Sequence, residues 1–326
     1  KNHYYNHIFF EYHDSHTYSC DYFFKKSNAV SLFLKEKLTN IKKDSWIGLK
    51  LPNHPFYMIL IFALQKNGFN VLFIDNNISE KNCNKVIEKS GISAIITDKI
   101  IDSIDIMYIN FEEILNLGEN DETDESEVFA DKIALCSSGT EGNIKIFIYD
   151  GDNFLELIRK VIMAFGHTFP ESVCPGEINK IVVSPPFFHI FGLGILFVFF
   201  SIGLTIVINE NNSLSCFLKN ANREGVQIVA HVPMILDNLF KFIKGKYNKL
   251  TCKNLRSTVG EDLKIFIGAG TGTTENVKAI LKNYGIYYLD CYGTTETGVI
   301  TMNNMICETA YSKIEMIGSL CTLMSR

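Results

Sequence analysis

The sequence lacks the features by which several classes of protein are recognised. It has no excess of basic residues, since 31 lysines and arginines stand against 36 aspartates and glutamates and give a formal net charge of −5. Without a broad basic surface, nucleic acid is not expected as the main partner. The nine cysteines are scattered, with no Cys-x-x-Cys pair and no histidine at metal-ligand spacing. We therefore expect reduced thiols in a cytoplasmic protein, and neither a zinc site nor a disulfide scaffold.

The chain also lacks the order of a secretory signal and a well-formed membrane span. It begins at Lys1, without a basic stretch followed by an apolar one. Residues 190–208 carry no charge and have the length of a membrane helix, but they contain three glycines and no basic cluster flanks them. The end of this segment is a short β-branched run. This pattern favours a buried helix followed by a buried strand, and we expect no transmembrane span.

Short apolar runs alternate with helical patterns along most of the chain. The apolar, strand-like runs occupy 45–51, 70–74, 93–98, 131–140, 180–186, 225–233, 263–271 and 286–298. The helical patterns occupy 55–68, 79–91, 154–165, 234–244 and 274–285. Repeated strand–helix–strand order is typical of parallel sheets covered by helices. We therefore predict an α/β fold with two doubly wound, largely parallel sheet subdomains and helices on both faces.

Glycine- and hydroxyl-rich turns follow three of these predicted strands. Doubly wound sheets bind ligands at the carboxyl ends of their strands, so these turns are the candidate sites. Residues 137–145, Ser-Ser-Gly-Thr-Glu-Gly-Asn-Ile-Lys, can direct backbone N–H groups and a lysine at one anion. They do not match a Walker A loop, and an ordinary polar turn explains them equally well. Residues 267–271 offer glycine backbone to a ligand, without the dinucleotide-binding spacing.

The third turn, residues 292–298, combines an aromatic ring, hydroxyls and a carboxylate. Tyr292 can stack on a planar base, and Glu296 can hold Mg²⁺, which needs only one or two protein carboxylates when phosphate and water complete its shell. A solvent-facing turn is the alternative for this stretch on its own.

Taken in order, five motifs give the chain a resemblance to a known family. The motifs lie at 137–145, 185–194, 226–233, 267–271 and 290–298. Their order and spacing resemble those of the adenylate-forming superfamily, which comprises acyl- and aryl-CoA synthetases, luciferases and peptide-synthetase adenylation domains. The resemblance implies an ATP-dependent reaction in which a carboxylate attacks the α-phosphorus and yields an acyl-adenylate and pyrophosphate.

The resemblance also implies roles for individual residues. Around the β- and γ-phosphates of ATP it places Ser138, Gly139, Thr140, Glu141, Gly142 and Lys145. Along the adenine and the acyl pocket it places Gly268, Ala269, Gly270, Asp290 and Tyr292. Asp290 would accept from the adenine amino group and Tyr292 would stack on the ring. The residues implied in catalysis are Lys145, Thr295 at the α-phosphate, Glu296 on Mg²⁺, and His189 at the mouth of the acyl site. His231 is better explained as a packed core histidine.

The sequence departs from the family pattern at two places. Ile144 replaces the proline of the phosphate loop. The sequence stops at Arg326, shortly after Met-Ile-Gly-Ser-Leu, and does not contain the ribose-binding Thr-Gly-Asp segment, the hinge or the small C-terminal domain with its lysine. We therefore expect the large N-terminal portion of an enzyme, inactive alone. Its first subdomain, 1–170, would carry the phosphate loop, and its second, 171–326, the acyl and adenine sites.

The substrate class follows from the residues near His189. Family members that activate amino acids place an aspartate here to pair with the substrate ammonium, whereas residues 186–192 contain no acid. An uncharged acyl or aryl acid is favoured, with CoA or a carrier-protein thiol as the acceptor. The alternative is a catalytically incomplete module that only binds a nucleotide or an acyl group.

Overall fold

The described part of the chain consists of helices and strands in alternation. A computed structural model describes residues 6–13, 16–99, 106–122, 129–138, 144–168, 178–270, 275–302, 315–316 and 322–323. The strands are β1 (Ile8–Tyr12), β2 (His16–Ser19), β3 (Trp46–Lys50), β4 (Asn70–Phe73), β5 (Ala94–Thr97), β6 (Met107–Asn110), β7 (Ile133–Ser138), β8 (Ile144–Tyr149), β9 (Lys180–Val183), β10 (Thr205–Ile208), β11 (Ile228–His231), β12 (Ile265–Ala269), β13 (Tyr287–Thr294), β14 (Gly298–Met302), β15 (Glu315–Met316) and β16 (Thr322–Leu323). The helices are α1 (Cys20–Lys37), α2 (Phe56–Lys66), α3 (Glu80–Ser90), α4 (Phe111–Leu115), α5 (Gly151–Thr168), α6 (Ile190–Ser201), α7 (Leu214–Ala221), α8 (Pro233–Tyr247), α9 (Cys252–Val259) and α10 (Glu275–Asn283).

The strands form two mixed, mostly parallel sheets. The larger sheet has the order β15-β14-β13-β12-β11-β9-β10-β1-β2, and the smaller has the order β16-β8-β7-β4-β3-β5-β6. In the larger sheet the run from β13 to β1 is parallel, with antiparallel strands at both ends. In the smaller sheet, β7, β8 and β16 pair in antiparallel fashion and the other described strands pair in parallel. The predicted α/β class with largely parallel sheets is confirmed.

Alternation along the buried strands places helices on both faces of each sheet. In β9, Ile181 and Val183 belong to the central core, whereas Val182 belongs to a second core beneath α7, α8, α9 and α10. In β4, Phe73 also faces the central core, and Leu72 faces a third core with α3. Because successive side chains of a strand point to opposite faces, each strand serves two cores. Helices α1, α2, α5 and α6 lie in the central core, between the two sheets.

The uncharged segment 190–208 forms a buried helix and a buried strand, as its pattern predicts. It contains α6 and β10, and Gly203 between them adopts a φ of 76°, in the left-handed region that glycine enters without strain. Within the described residues, no helix combines the length and the apolar character needed to cross a membrane.

The two sheets do not divide the chain at one point. β1 pairs in parallel with β10, with Phe10 opposite Ile206, so the first described strand belongs to the larger sheet. β16 pairs with β8 in the smaller sheet. The division into subdomains 1–170 and 171–326 therefore remains a proposal. In that division, the first subdomain contributes β1 and β2 to the larger sheet, and the second contributes β16 to the smaller sheet.

Candidate nucleotide and acyl site

The carboxyl ends of four neighbouring parallel strands lie at one edge of the larger sheet. β9, β11, β12 and β13 are adjacent and parallel. Their register places His231 opposite Gly268, and Gly268 opposite Asp290. Three motifs that are far apart in the sequence therefore end side by side, where doubly wound sheets bind ligands.

Glycine is required at Gly268 by close packing. A Cβ at this residue would overlap the Tyr288 hydroxyl group, so glycine leaves room for the Tyr288 side chain beside β12. Ala269 is buried, whereas a Cβ at Gly270, whose φ is 103°, would meet no heavy atom within 4 Å. The backbone at Gly270 is therefore accessible on the side where a Cβ would lie.

His231 is a buried, neutral histidine at the end of β11. Its side chain is fully buried, its Nδ1 lies 2.9 Å from the Val232 carbonyl oxygen, and its Nε2 has no hydrogen-bond partner. Burial lowers the pKa of the imidazole to about 4. The ring packs edge-on against Phe266 and Tyr288, as expected for a core residue.

Asp290 and Tyr292 lie near each other on β13 but have different surroundings. The Asp290 carboxylate accepts a hydrogen bond from Lys278 Nζ at 2.7 Å, so a cation from α10 lies beside the proposed adenine contact. The Tyr292 side chain is 62% exposed, which leaves its ring available for stacking. The pairing of Lys278 with Asp290 could not be predicted from the sequence. The two residues are twelve positions apart and lie on different elements, α10 and β13.

The turn after β13 is held against elements from the first half of the chain. The Tyr149 hydroxyl, at the end of β8, donates to the Thr295 carbonyl oxygen at 2.9 Å. A Cβ at Gly298 would overlap Leu157 of α5, so the start of β14 packs directly on that helix. The turn that carries Thr295 and Glu296 is therefore anchored to the hairpin that contains the predicted phosphate loop.

The phosphate loop itself is only partly described. Gly139, Thr140, Glu141 and Gly142 lie outside the described residues, and Ser138 is described only as the last residue of β7. Lys145 lies opposite Ser137 in the antiparallel β7–β8 pair, and its side chain is exposed. The loop thus connects two paired strands of the smaller sheet.

His189 lies at the start of α6, in a turn fixed from the other sheet. Asn53 is buried; its amide group donates to the Pro185 carbonyl oxygen at 3.1 Å, and its carbonyl oxygen accepts from the Phe187 N–H at 2.9 Å. His189 itself reaches solvent. Partial burial lowers the pKa of its imidazole, and the Asp75 carboxylate acts in the opposite direction.

An apolar pocket lies between α5, α6 and the face of the larger sheet that β12, β13 and β14 form. Its empty space, which includes open solvent, is about 480 Å³. Three elements of the larger sheet and two helices line it: Leu157, Ile158, Val161 and Phe165 of α5; Ile190, Phe191, Gly194, Ile195, Val198 and Phe199 of α6; and Ile267, Leu289, Cys291, Val299 and Met302 of β12, β13 and β14. Ile267, Leu289 and Cys291 line the pocket from the face of β12 and β13 that packs on α5 and α6, whereas Asp290 contacts Lys278 of α10.

The side chains at this site suit a metal ion that is bound partly by phosphate oxygens better than one that is bound by protein ligands alone. Among the described residues, no group of three or more histidine, cysteine, aspartate or glutamate side chains is arranged to hold a metal ion. Glu296 places a carboxylate, a hard oxygen group, in the turn after β13. A carboxylate with phosphate oxygens and water is the usual shell of Mg²⁺.

Comparison with known proteins identifies the family. The model of the AMP-binding enzyme family matches residues 1–324. The chain belongs to the AMP-binding enzyme family. This result confirms the resemblance on which the sequence interpretation depends.

Curated relatives within the AMP-binding family are ligases. The chain is 22% identical over 271 residues to a 2-succinylbenzoate–CoA ligase of Bacillus pumilus, covering 79% of this chain and 50% of the relative. It is 23% identical over 260 residues to the ligase of the same name from Listeria innocua, covering 79% and 51%. The chain therefore spans about half the length of the curated relatives it matches.

Solved structures of AMP-binding enzymes share the fold. The o-succinylbenzoate CoA synthetase of Bacillus subtilis, solved with the acyl-adenylate intermediate OSB-AMP, superimposes with a TM-score of 0.72 at 20% identity, covering 92% of this chain and 58% of that chain. The N-terminal subdomain of NpsA from Klebsiella oxytoca, solved with 3-hydroxybenzoyl-AMSN, gives a TM-score of 0.75 at 14% identity, covering 97% and 77%.

Proposed function

We propose that this chain is the nucleotide- and acyl-binding portion of an ATP-dependent ligase that activates a carboxylic acid as its acyl-adenylate. The observation that carries the proposal is the apolar pocket that α5 and α6 form with Ile267, Leu289 and Cys291 of β12 and β13. Such a pocket can hold the apolar part of a carboxylic acid. Membership of the AMP-binding family and the ligase names of the relatives support the same reaction.

The reaction needs positioning and charge neutralisation more than proton transfer. An oxygen of the substrate carboxylate forms a bond to the α-phosphorus of ATP, and the bond from that phosphorus to the bridging oxygen of pyrophosphate breaks. The nucleophile is already ionised at neutral pH, so no general base is required. Two anions must be brought together, and placed cations and N–H donors lower that barrier.

The phosphate contacts are proposed for the loop between β7 and β8. Lys145 would add a cation at the β- and γ-phosphates, and the segment from Ser138 to Gly142 would supply N–H and hydroxyl donors. Thr295 would contact the α-phosphate from the turn after β13. The hydrogen bond between the Tyr149 hydroxyl and the Thr295 carbonyl oxygen joins that turn to the β7–β8 hairpin, at the end of the hairpin opposite the loop.

The adenine contacts are proposed for the ends of β12 and β13. Tyr292 would stack on the base, and Gly268, Ala269 and Gly270 would form the backbone wall beside it. Asp290, which accepts a hydrogen bond from Lys278, would also accept from the adenine amino group. His189 would stand at the mouth of the acyl pocket, one residue before Ile190, which lines it.

Magnesium and the thiol acceptor complete the proposal. Glu296 would hold Mg²⁺, which when bound neutralises phosphate charge. CoA is the proposed acceptor because the relatives are named as CoA ligases, and a carrier-protein thiol is the second choice. A cytoplasmic location suits the described cysteines at 20, 83, 136, 216, 252 and 291, all of which are free thiols.

Pyrophosphate release with a panel of carboxylic acids tests the function. We expect acid-dependent release from the protein of the full open reading frame, and weaker or no release from this chain. Nucleotide binding without release by either protein would instead support a module that binds a nucleotide or an acyl group. If neither binding nor release is found, the proposal is wrong.

A further inference from the structure

We infer that the pocket takes the hydrocarbon part of a monocarboxylic acid with no second charge, and that Gly194 sets how far this part extends. The inference rests on the proposed function and narrows it to a substrate class. It also names a specificity-determining residue that the motifs do not indicate.

The pocket offers nothing to compensate a buried charge. None of the described residues that line it carries a charged, amide or hydroxyl side chain. The one polarisable group is the Cys291 thiol, and burial raises its pKa to about 12, so it is neutral at physiological pH. An isolated carboxylate moved from water into such surroundings loses its hydration without gaining a partner. A second carboxylate on the buried part of the acid is therefore strongly disfavoured.

This chemistry separates the chain from the acid named in its relatives. 2-Succinylbenzoate carries a second carboxylate in addition to the one that is activated. In this chain, the part of the acid away from the activated carboxylate would lie against leucine, isoleucine, valine and phenylalanine side chains of α5 and α6. A straight-chain or aromatic monocarboxylic acid suits that lining better than a dicarboxylic acid.

Gly194 lies in the middle of the face that α6 turns toward the pocket. The lining residues of α6 are Ile190, Phe191, Gly194, Ile195, Val198 and Phe199. Their spacing marks one helix face, because residues three and four apart are neighbours on a helix. A Cβ built at Gly194 meets no heavy atom within 4 Å. A methyl group at this residue would therefore enter the pocket without overlapping other atoms, and a larger side chain would extend further into the same space.

Binding of acyl-sulfamoyl adenosines, measured by isothermal titration, tests the inference without requiring turnover. The probes are adenosine derivatives with acetyl, butanoyl, hexanoyl and octanoyl groups, and one with a terminal carboxylate on a six-carbon chain. We expect affinity to rise roughly fourfold for each added methylene until the pocket is full. We expect the terminal carboxylate to weaken binding about 100-fold relative to the hexanoyl probe.

Gly194→Leu and its matched control test the residue. In wild type, the octanoyl probe should bind more tightly than the acetyl probe, and we expect Gly194→Leu to reduce this ratio of affinities at least about tenfold. The acetyl probe itself should bind within about twofold of wild type. Gly194→Ala provides a smaller obstruction on the same face, and should reduce the same gain by a smaller factor. Gly245 of α8 is exposed, and a Cβ there also meets no heavy atom within 4 Å. Gly245→Leu should match wild type with every probe.

The two levels of the proposal fail in different ways. The inference is wrong if both Gly194 variants keep the wild-type preference for the octanoyl probe, or if the hexanoyl and carboxylated probes bind equally well. In either case, binding of the acetyl probe would still indicate a nucleotide site. Failure of every probe, including acetyl, would remove the nucleotide site and with it the inference.

Discussion

Gly192 and Gly194 are two residues apart in α6 and meet different neighbours. A Cβ at Gly192 would overlap the Pro186 carbonyl oxygen, which belongs to the backbone of the turn before the helix. A Cβ at Gly194 meets open space. In the sequence, both glycines speak against a membrane span and belong to the motif at 185–194, which does not distinguish between them. Their separate roles depend on contacts with the Pro185–Pro186 turn and with the pocket, which composition does not reveal.

The two positions give a matched prediction for stability. Gly192→Ala should lower the free energy of unfolding by about 1–3 kcal/mol, because backbone atoms must shift to admit the methyl group. Gly194→Ala should leave it unchanged or raise it by up to about 1 kcal/mol, because alanine favours the helix. Urea unfolding followed by circular dichroism measures both. Equal midpoints for the two variants would contradict the close packing at Gly192.

His231 makes stability depend on pH. Burial lowers the pKa of its imidazole to about 4 in the folded protein, and unfolding returns it to about 6.5. Between these values the unfolded state binds more protons, so the free energy of unfolding rises with pH. The contribution is complete above about pH 6.5 and falls as the pH drops toward about 4. At about pH 5 the loss from this group is roughly 2 kcal/mol.

Substitution of His231 should weaken that dependence. His231→Asn is expected to reduce the change in urea midpoint between about pH 7 and about pH 5, whatever its effect at neutral pH. His54 is buried as well, and burial lowers its pKa to about 3, so a dependence of the same sign should persist. The control is His16→Asn, at an exposed residue of β2. An unchanged slope in His231→Asn would show that this ring is accessible to protons in the folded protein.

At the scale of elements, Asn53 connects the ends of strands from the two sheets. It follows β3 of the smaller sheet, and its side chain bonds both Pro185 and Phe187, in the turn after β9 of the larger sheet. That turn leads into His189 and α6, which lines the pocket. One buried amide therefore helps to set where the pocket helix begins.

Removing this amide should weaken the protein measurably. Asn53→Ala leaves the Phe187 N–H and the Pro185 carbonyl oxygen buried without their partner, at a cost of about 2 kcal/mol or more in unfolding free energy. Asn82 is exposed on α3, so Asn82→Ala is the matched control and should stay within about 0.5 kcal/mol of wild type. If the two variants unfold at the same denaturant concentration, the Asn53 bonds contribute no stability.

Local pattern was sufficient for some elements and not for others. β3, β4, β5, β9 and β12 are short apolar runs bounded by polar or glycine residues, and their positions were predictable because buried parallel strands leave that trace. β1, β8 and the start of α5 were missed. β1 pairs with β10, with Glu11 opposite Val207, almost two hundred residues away, and no local pattern encodes that partner.

At the scale of the whole molecule, the proposed function depends on distant turns acting as one site. The register of β11, β12 and β13 places His231, Gly268 and Asp290 side by side at the ends of neighbouring parallel strands. The motifs could not predict the contacts that join the sheets, such as Tyr149 with Thr295. Those contacts depend on how two sheets pack, which spacing along one chain does not specify.

Titration of AMP, and of ATP with Mg²⁺, into wild type, Lys145→Ala and Tyr292→Ala tests this dependence most directly. We expect AMP to compete with ATP for one site. Tyr292→Ala should weaken both nucleotides about tenfold through lost stacking, whereas Lys145→Ala should weaken ATP and leave AMP within about twofold of wild type, because AMP lacks the β- and γ-phosphates. AMP and ATP binding independently of each other, or both variants binding as wild type does, would contradict the single nucleotide site.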